Sequence, residues 1–169
     1  SSNPKTKYAG TGFGGFARFT VGLPMLVTFG AGPYFDYASL SGGPSASPST
    51  KHLRAGGELV VYADIIGNLI SLTPYVRFGY GYEGNTAKTE YMASGVSKTD
   101  DAVYYGLGGH TIFGLTYKII PTLYVFAEGG IQWASLKAAI PDTMKNAGVS
   151  AADMNSSGWR ISLGAMLWL

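Results

Sequence analysis

Residues 71–84 read "SLTPYVRFGYGYEG". A proline and an arginine interrupt a run that otherwise has the composition of a strand. Sorting the run by parity gives it order. Ile70, Leu72, Pro74, Val76, Phe78, Tyr80 and Tyr82 fall on one face, while Ser71, Thr73, Tyr75, Arg77, Gly79, Gly81 and Glu83 fall on the other. Successive side chains of a strand point to opposite sides, so the run is a strand with an apolar face and a small or polar face. Arg77 lies on the polar face, and the fold turns on which face is inside.

The alternation recurs along the whole chain. It predicts seven antiparallel strands near 12–22, 25–38, 53–66, 69–83, 102–118, 123–136 and 157–168. The connections alternate as well. Short turns, "VGLPM", "IGNL" and "IIPT", hold Gly, Asn or Pro, the usual turn residues. Long polar segments follow the second, fourth and sixth strands: "SLSGGPSASPSTKH", "GNTAKTEYMASGVSKTDD" and "KAAIPDTMKNAGVSAADMNSS". The last of these is expected to form one or two helical turns starting near Pro141 and Asp142. Short turns at one end and long loops at the other are the pattern of a transmembrane β-barrel.

Composition chooses between that barrel and a water-soluble one. Only 13% of the 169 residues are charged, about half the share of an ordinary soluble domain. A soluble barrel needs a charged exterior, but the polar faces here are mostly Gly, Tyr, Thr and Ser, and the apolar faces carry no charge. Placing the apolar face in lipid and the few charges inside removes the conflict, because a closed barrel leaves no backbone group unpaired in hydrocarbon. The net charge of +2, without a basic cluster, gives no footprint for nucleic acid. With no cysteine there is neither a disulfide framework nor a thiolate metal site.

Aromatic residues support the same reading. With the long loops taken as the outer end, Phe13, Tyr37, Tyr80, Tyr82, Tyr105, Trp133 and Trp159 fall near outer strand ends, and Phe19 and Tyr117 near inner ends. Tyr and Trp gather at membrane–water interfaces.

As a whole pattern, and in the alternating final strand "WRISLGAMLWL", the chain resembles the small outer-membrane barrels of the OmpA, OmpX and OmpW type. The resemblance implies an all-β, transmembrane, antiparallel up-and-down barrel occupying 1–169 as a single domain in the bacterial outer membrane. It implies contact with membrane lipids and lipopolysaccharide, and with the barrel assembly machinery during biogenesis. Contact with another envelope or surface protein would run through the loops. Such barrels have an even number of strands. The polar segment "SSNPKTKYAG" reads as the tail of a loop, so a first strand ahead of Ser1 is expected, eight in all.

Eight strands leave a lumen that side chains can fill. Arg18, Arg77 and Arg160 are expected to point into it with Asp36, Glu58 and Glu128, as a paired network that plugs the barrel. Glu58 and Arg77 are nearly symmetric about Gly67–Asn68, which makes them neighbours across a hairpin. OmpA-type barrels are plugged in a similar way. The glycines at 79, 81 and 84, and at 10, 12 and 15, match a dinucleotide spacing. They lie within or beside strands with no following helix, so their expected role is steric. No catalytic residue or cofactor is assigned. His110 is followed two residues on by Ile112 rather than the Ser of the lipid A deacylases. His52 is expected in a loop, with Asp100 and Asp101 in another, and the two histidines lack metal-ligand spacing. Pro33 is expected to sit in a bulge, and Pro74 near a turn. The expected role is structural or adhesive, then a narrow channel, then a lipid-modifying enzyme.

Overall fold

A computed structural model describes residues 9–23, 26–41, 50–64, 66 and 71–168. They form one antiparallel sheet curled into a half-barrel. Its strands are β1 (Ala9–Phe16), β2 (Phe19–Leu23), β3 (Val27–Ser41), β4 (Thr50–Tyr62), β5 (Leu72–Ala93), β6 (Val96–Ile120), β7 (Leu123–Ala139) and β8 (Met154–Leu167). A five-residue helix, α1 (Asp142–Asn146), lies between β7 and β8. β1 and β2 lie end to end against β3, and from β3 onward each strand pairs with the next in sequence. The turns at Gly67–Asn68 and in "VGLPM" fall at least partly outside the described residues.

Alternation decides the two faces. Leu59, Phe78, Leu107, Phe113, Ile131 and Leu163 are exposed on the convex side. Arg54, Glu58, Arg77, Glu83, His110 and Glu128 are buried on the concave side. This inverts the usual protein arrangement, and it follows the parity of the sequence strand by strand.

Four expectations are corrected. Pro33 makes no bulge. The residue numbers paired with β3 keep the same register above and below it, from Phe16 opposite Tyr34 to Phe19 opposite Ala31. Only the ladder is interrupted. Ala17 N–H donates to Pro33 O (3.1 Å), and proline has no N–H to return the bond, so the neighbouring strand divides into β1 and β2 at Ala17–Arg18. The segment "GNTAKTEYMASGVSKTDD" is not a long loop. β5 and β6 continue through it as a ribbon, with Lys88 opposite Asp101 and Tyr91 opposite Lys98, and reverse at Ser94–Gly95. Both turn residues have positive φ, 53° and 77°, the combination that matches the twist of a two-residue hairpin. Asp100 and Asp101 therefore lie in β6, and His52 lies in β4 rather than in a loop. Finally, β4 ends at Tyr62, and Asp64 and Ile66 are helical rather than extended. Pro74 sits within β5 near its start, where its carbonyl accepts the Ala63 N–H (2.8 Å).

α1 starts after Pro141, as the sequence indicates. Met144 is buried against the base of the ribbon with Tyr91 and Ala102. Thr143 Oγ1 donates to Asp100 Oδ2 (2.9 Å), as does Tyr91 O–H (2.6 Å).

Candidate functional site

The concave face carries the chemistry, and each strand contributes at two-residue intervals. β4 supplies Arg54, Glu58 and Tyr62; β5 supplies Tyr75, Arg77 and Glu83; β6 supplies His110; β7 supplies Glu128 and Gln132. Asp36 comes from β3, Arg160 from β8, and Arg18 from the break between β1 and β2.

Arg77 is the centre. Its Nε and Nη2 form two parallel bonds to Glu128, at 3.0 and 2.5 Å, and its Nη1 donates to Glu58 Oε2 at 2.6 Å. The planar fork of a guanidinium suits this double grip on one carboxylate. The second oxygen of Glu58 accepts from Arg18 Nε (2.6 Å), and Arg18 Nη1 also donates to Tyr62 Oη (2.6 Å). Tyr75 O–H donates to Glu128 Oε2 (2.8 Å). Two carboxylates and two arginines thus neutralise one another where solvent reaches almost none of them. An unpaired charge at such a site costs several kcal/mol, so every member depends on the others.

Toward the turn end, Val60, Tyr62 and Tyr75 pack with Phe126, Met166 and Trp168 to form an apolar floor. Toward the loop end lies a second ionic group. Arg54 Nε is 3.1 Å from Glu83 Oε2, its Nη1 donates to Gln132 Oε1 (2.8 Å), and its Nη2 donates to Gly109 O (3.0 Å). His52 Nε2 lies 3.0 Å from Glu83 Oε1. Between the two groups the His110 ring stands edge-on to Tyr34, with Nε2 3.4 Å from Arg77 Nη1. That ring occupies the space above Gly79, where a Cβ would overlap it. Glycine there makes room for an aromatic neighbour, and nothing in the arrangement resembles a phosphate cradle.

Of the six residues singled out from the sequence, Arg18, Glu58, Arg77 and Glu128 form one connected cluster. Asp36 and Arg160 pair with each other at the margin, and Arg160 Nε also donates to Ser162 Oγ (2.8 Å). Arg54, Glu83, His52, Gln132, His110 and the two tyrosines were not singled out. Parity does place Arg54 and Glu83 on the polar face, and they are directly opposite one another in the β4–β5 hairpin. Parity carries them to the shared face, but symmetry about Gly67–Asn68 sets Arg54 opposite Gly81, so the pairing itself waits on the register.

On the convex side, Tyr80, Tyr82, Tyr105, Tyr117, Trp133 and Trp159 are exposed, and Tyr37 is half-buried against Phe13 with ring centroids 5.6 Å apart. Tyr82 and Tyr105 sit just inside the rim, where the sheet narrows beyond Thr86 and Val103 into the two-stranded ribbon. Among the described residues no group of three or more His, Asp or Glu side chains is arranged to hold a metal ion. No protein-family model, curated protein or solved structure matches the chain.

Proposed function

We propose that this protein is an integral outer-membrane β-barrel of the OmpA, OmpX or OmpW kind, with a lumen plugged by ion pairs and a structural or adhesive role exercised through its loop end. One observation carries the reading: the polarity of the sheet is inverted. Large apolar side chains cover the convex face, and four arginines with four carboxylates (Arg18, Arg54, Arg77, Arg160; Asp36, Glu58, Glu83, Glu128) pair on the concave one. Water would disfavour so much exposed apolar surface, whereas hydrocarbon would accept it. The ribbon of β5 and β6, braced by α1, projects a firm surface beyond the rim for contact with an envelope or surface protein.

A narrow channel is the second reading. It draws on a cleft of about 370 Å³ beside the plug, lined by Asp36, Arg54, Arg77, Gln132 and Arg160. Planar-bilayer recording separates the two. The plug reading expects no steady conductance from the folded protein, and an ion-selective current of constant size would replace it with the channel. Partition into the detergent phase and protection of the strands from protease in vesicles test membrane residence itself. A protein that stays in the aqueous phase and is cut throughout would end both readings.

A further inference from the structure

A hollow of about 250 Å³ lies on the convex face at the loop end of β4, lined by Lys51, Leu53, Tyr37, Tyr82 and Thr86. Its head is polar. Lys51 shares a rung with Ser39 on β3 and Thr86 on β5, so one ammonium and two hydroxyls meet on the same face. Lys88, further out on that face, stands opposite Asp101, whereas Lys51 has no carboxylate partner among the described residues. Below the head, the outward residues of β4 continue as Ala55 and Gly57. Phe35 and Tyr82 flank Ala55, and Pro33 and Tyr80 flank Gly57. The middle strand thus offers a methyl group and then a hydrogen where each neighbour carries a ring. Nothing inside the molecule requires glycine at 57. Its φ is not positive, and a Cβ there would meet no atom within 4 Å. Glycine weakens a strand interior, so this open floor is a cost that packing within the chain does not explain.

We infer that this groove holds one acyl lipid with an anionic phosphate head. The phosphate oxygens accept from the Lys51 ammonium and from the hydroxyls of Ser39 and Thr86, and one chain runs down β4 over Ala55 and Gly57 between the flanking rings. Charge and depth select this occupant. Tyrosine rings mark the bilayer interface, and Lys51 stands just beyond Tyr37 and Tyr82, where head groups lie. A lysine serves a phosphate as a point charge, and hydroxyls beside it add directed donors. From Lys51 to Gly57 the strand covers about 20 Å, enough to seat a chain along its length. The inference rests on the outer-membrane reading and deepens it: one lipid is fixed at one place, in contrast to the exchanging lipids expected over the rest of the convex face. β3, β4 and β5 are each paired on both sides, so neither edge of the sheet takes part.

The test counts lipids on the folded protein in neutral detergent micelles by native mass spectrometry, with phosphatidylglycerol as the probe. One bound lipid per chain is expected, with diacylglycerol, which lacks the phosphate, not retained and inorganic phosphate unable to displace the bound lipid. Lys51→Gln and Gly57→Leu are each expected to weaken binding about tenfold or more, the first by removing the charge and the second by filling the floor. Gly57→Leu meets no atom of the protein at its Cβ, so it is expected to fold as the parent does by circular dichroism. Gly129→Leu puts the same bulk on the convex face of β7 and is expected to bind as the parent does. Several lipids bound with equal strength in the parent and in Gly57→Leu would overturn the groove, as would diacylglycerol bound as tightly as phosphatidylglycerol or displacement by inorganic phosphate. A protein that folds only in micelles or vesicles and retains no lipid overturns the groove alone. A protein that folds in buffer without either overturns the outer-membrane reading and the groove with it.

Discussion

Arg54 and Glu83 face each other directly across β4 and β5, with Arg54 Nε 3.1 Å from Glu83 Oε2. The pair is set four residue pairs toward the loop end from Glu58, whose own opposite residue is Gly79. Replacing Arg54 with Met leaves Glu83 buried with His52 as its remaining polar neighbour. The expected cost is about 3–5 kcal/mol, the range for breaking a buried pair from one side. Adding Glu83→Gln is expected to recover part of that loss, because the stranded charge goes too. Urea titrations of the refolded protein measure both. Single and double variants that unfold together would show that Glu83 needs no partner.

The relationship also shows what the sequence made legible and what it did not. Alternation in 72–83 assigned Arg77 and Glu83 to the concave face, because a strand has only two faces and one was apolar throughout. Pairing was less accessible. Symmetry about Gly67–Asn68 places Arg77 opposite Glu58, but the register sets Arg77 opposite Val60 and Glu58 opposite Gly79, so the ion pair is a diagonal one. Parity is local, while register depends on how the hairpin turns. The ribbon beyond Thr86 was hidden for another reason. Lys88, Glu90, Lys98 and Asp100 blur its alternation, and its small apolar face of Tyr91 and Ala102 is covered by α1 rather than by lipid or a lumen, so its order comes from cross-strand pairing, the Ser94–Gly95 turn and that docking.

Val76 lies on the convex face of β5, next to the floor tyrosine Tyr75 and two residues before the exposed Phe78. In hydrocarbon, Val76→Arg is expected to cost about 2–4 kcal/mol if the site is near the bilayer midplane. Ile131→Arg on β7 tests a second position. Folding titrations in lipid vesicles read the effect, and the same variants in aqueous buffer are the control. No cost at either site would mean that this face does not meet lipid.

Gly79 has the His110 ring where a side chain would begin. Gly79→Ala is expected to destabilise by about 1–3 kcal/mol through overpacking. In the His110→Ala background the added methyl group has room, so the same change is expected to cost little. Equal costs in the two backgrounds, measured by chemical denaturation, would place the conflict in the backbone instead.

Asp100 ties the ribbon to α1. The hydrogen bond from Tyr91, and after it the one from Thr143, holds the Asp100 carboxyl below the ordinary carboxylate range. A depressed folded value means that the tie is at full strength above the unfolded carboxylate value near ~4 and is lost as pH falls through the folded value. Protease cleavage within 86–101 is therefore expected to accelerate in acid, as pH falls below the ordinary carboxylate value. Asp100→Asn is expected to flatten that dependence. Cleavage that follows pH identically in both proteins would assign the acid sensitivity elsewhere.

Arg77 decides between a plug and a path. It holds Glu58 and Glu128 at once, and Glu58 in turn holds Arg18. Arg77→Met strands one carboxylate entirely on Tyr75 and leaves the other to Arg18, with an expected loss of about 3–5 kcal/mol. Arg77→Met with Glu128→Gln is expected to cost less than the sum of the two single changes, because the doubly bonded partner is removed with it. The double variant also deletes the crossbar that joins β5 to β7 through the lumen. If the network is a plug, the unaltered protein is silent in a planar bilayer and the double variant passes current. If both carry the same steady current, ions bypass these residues and the channel reading stands in place of the plug.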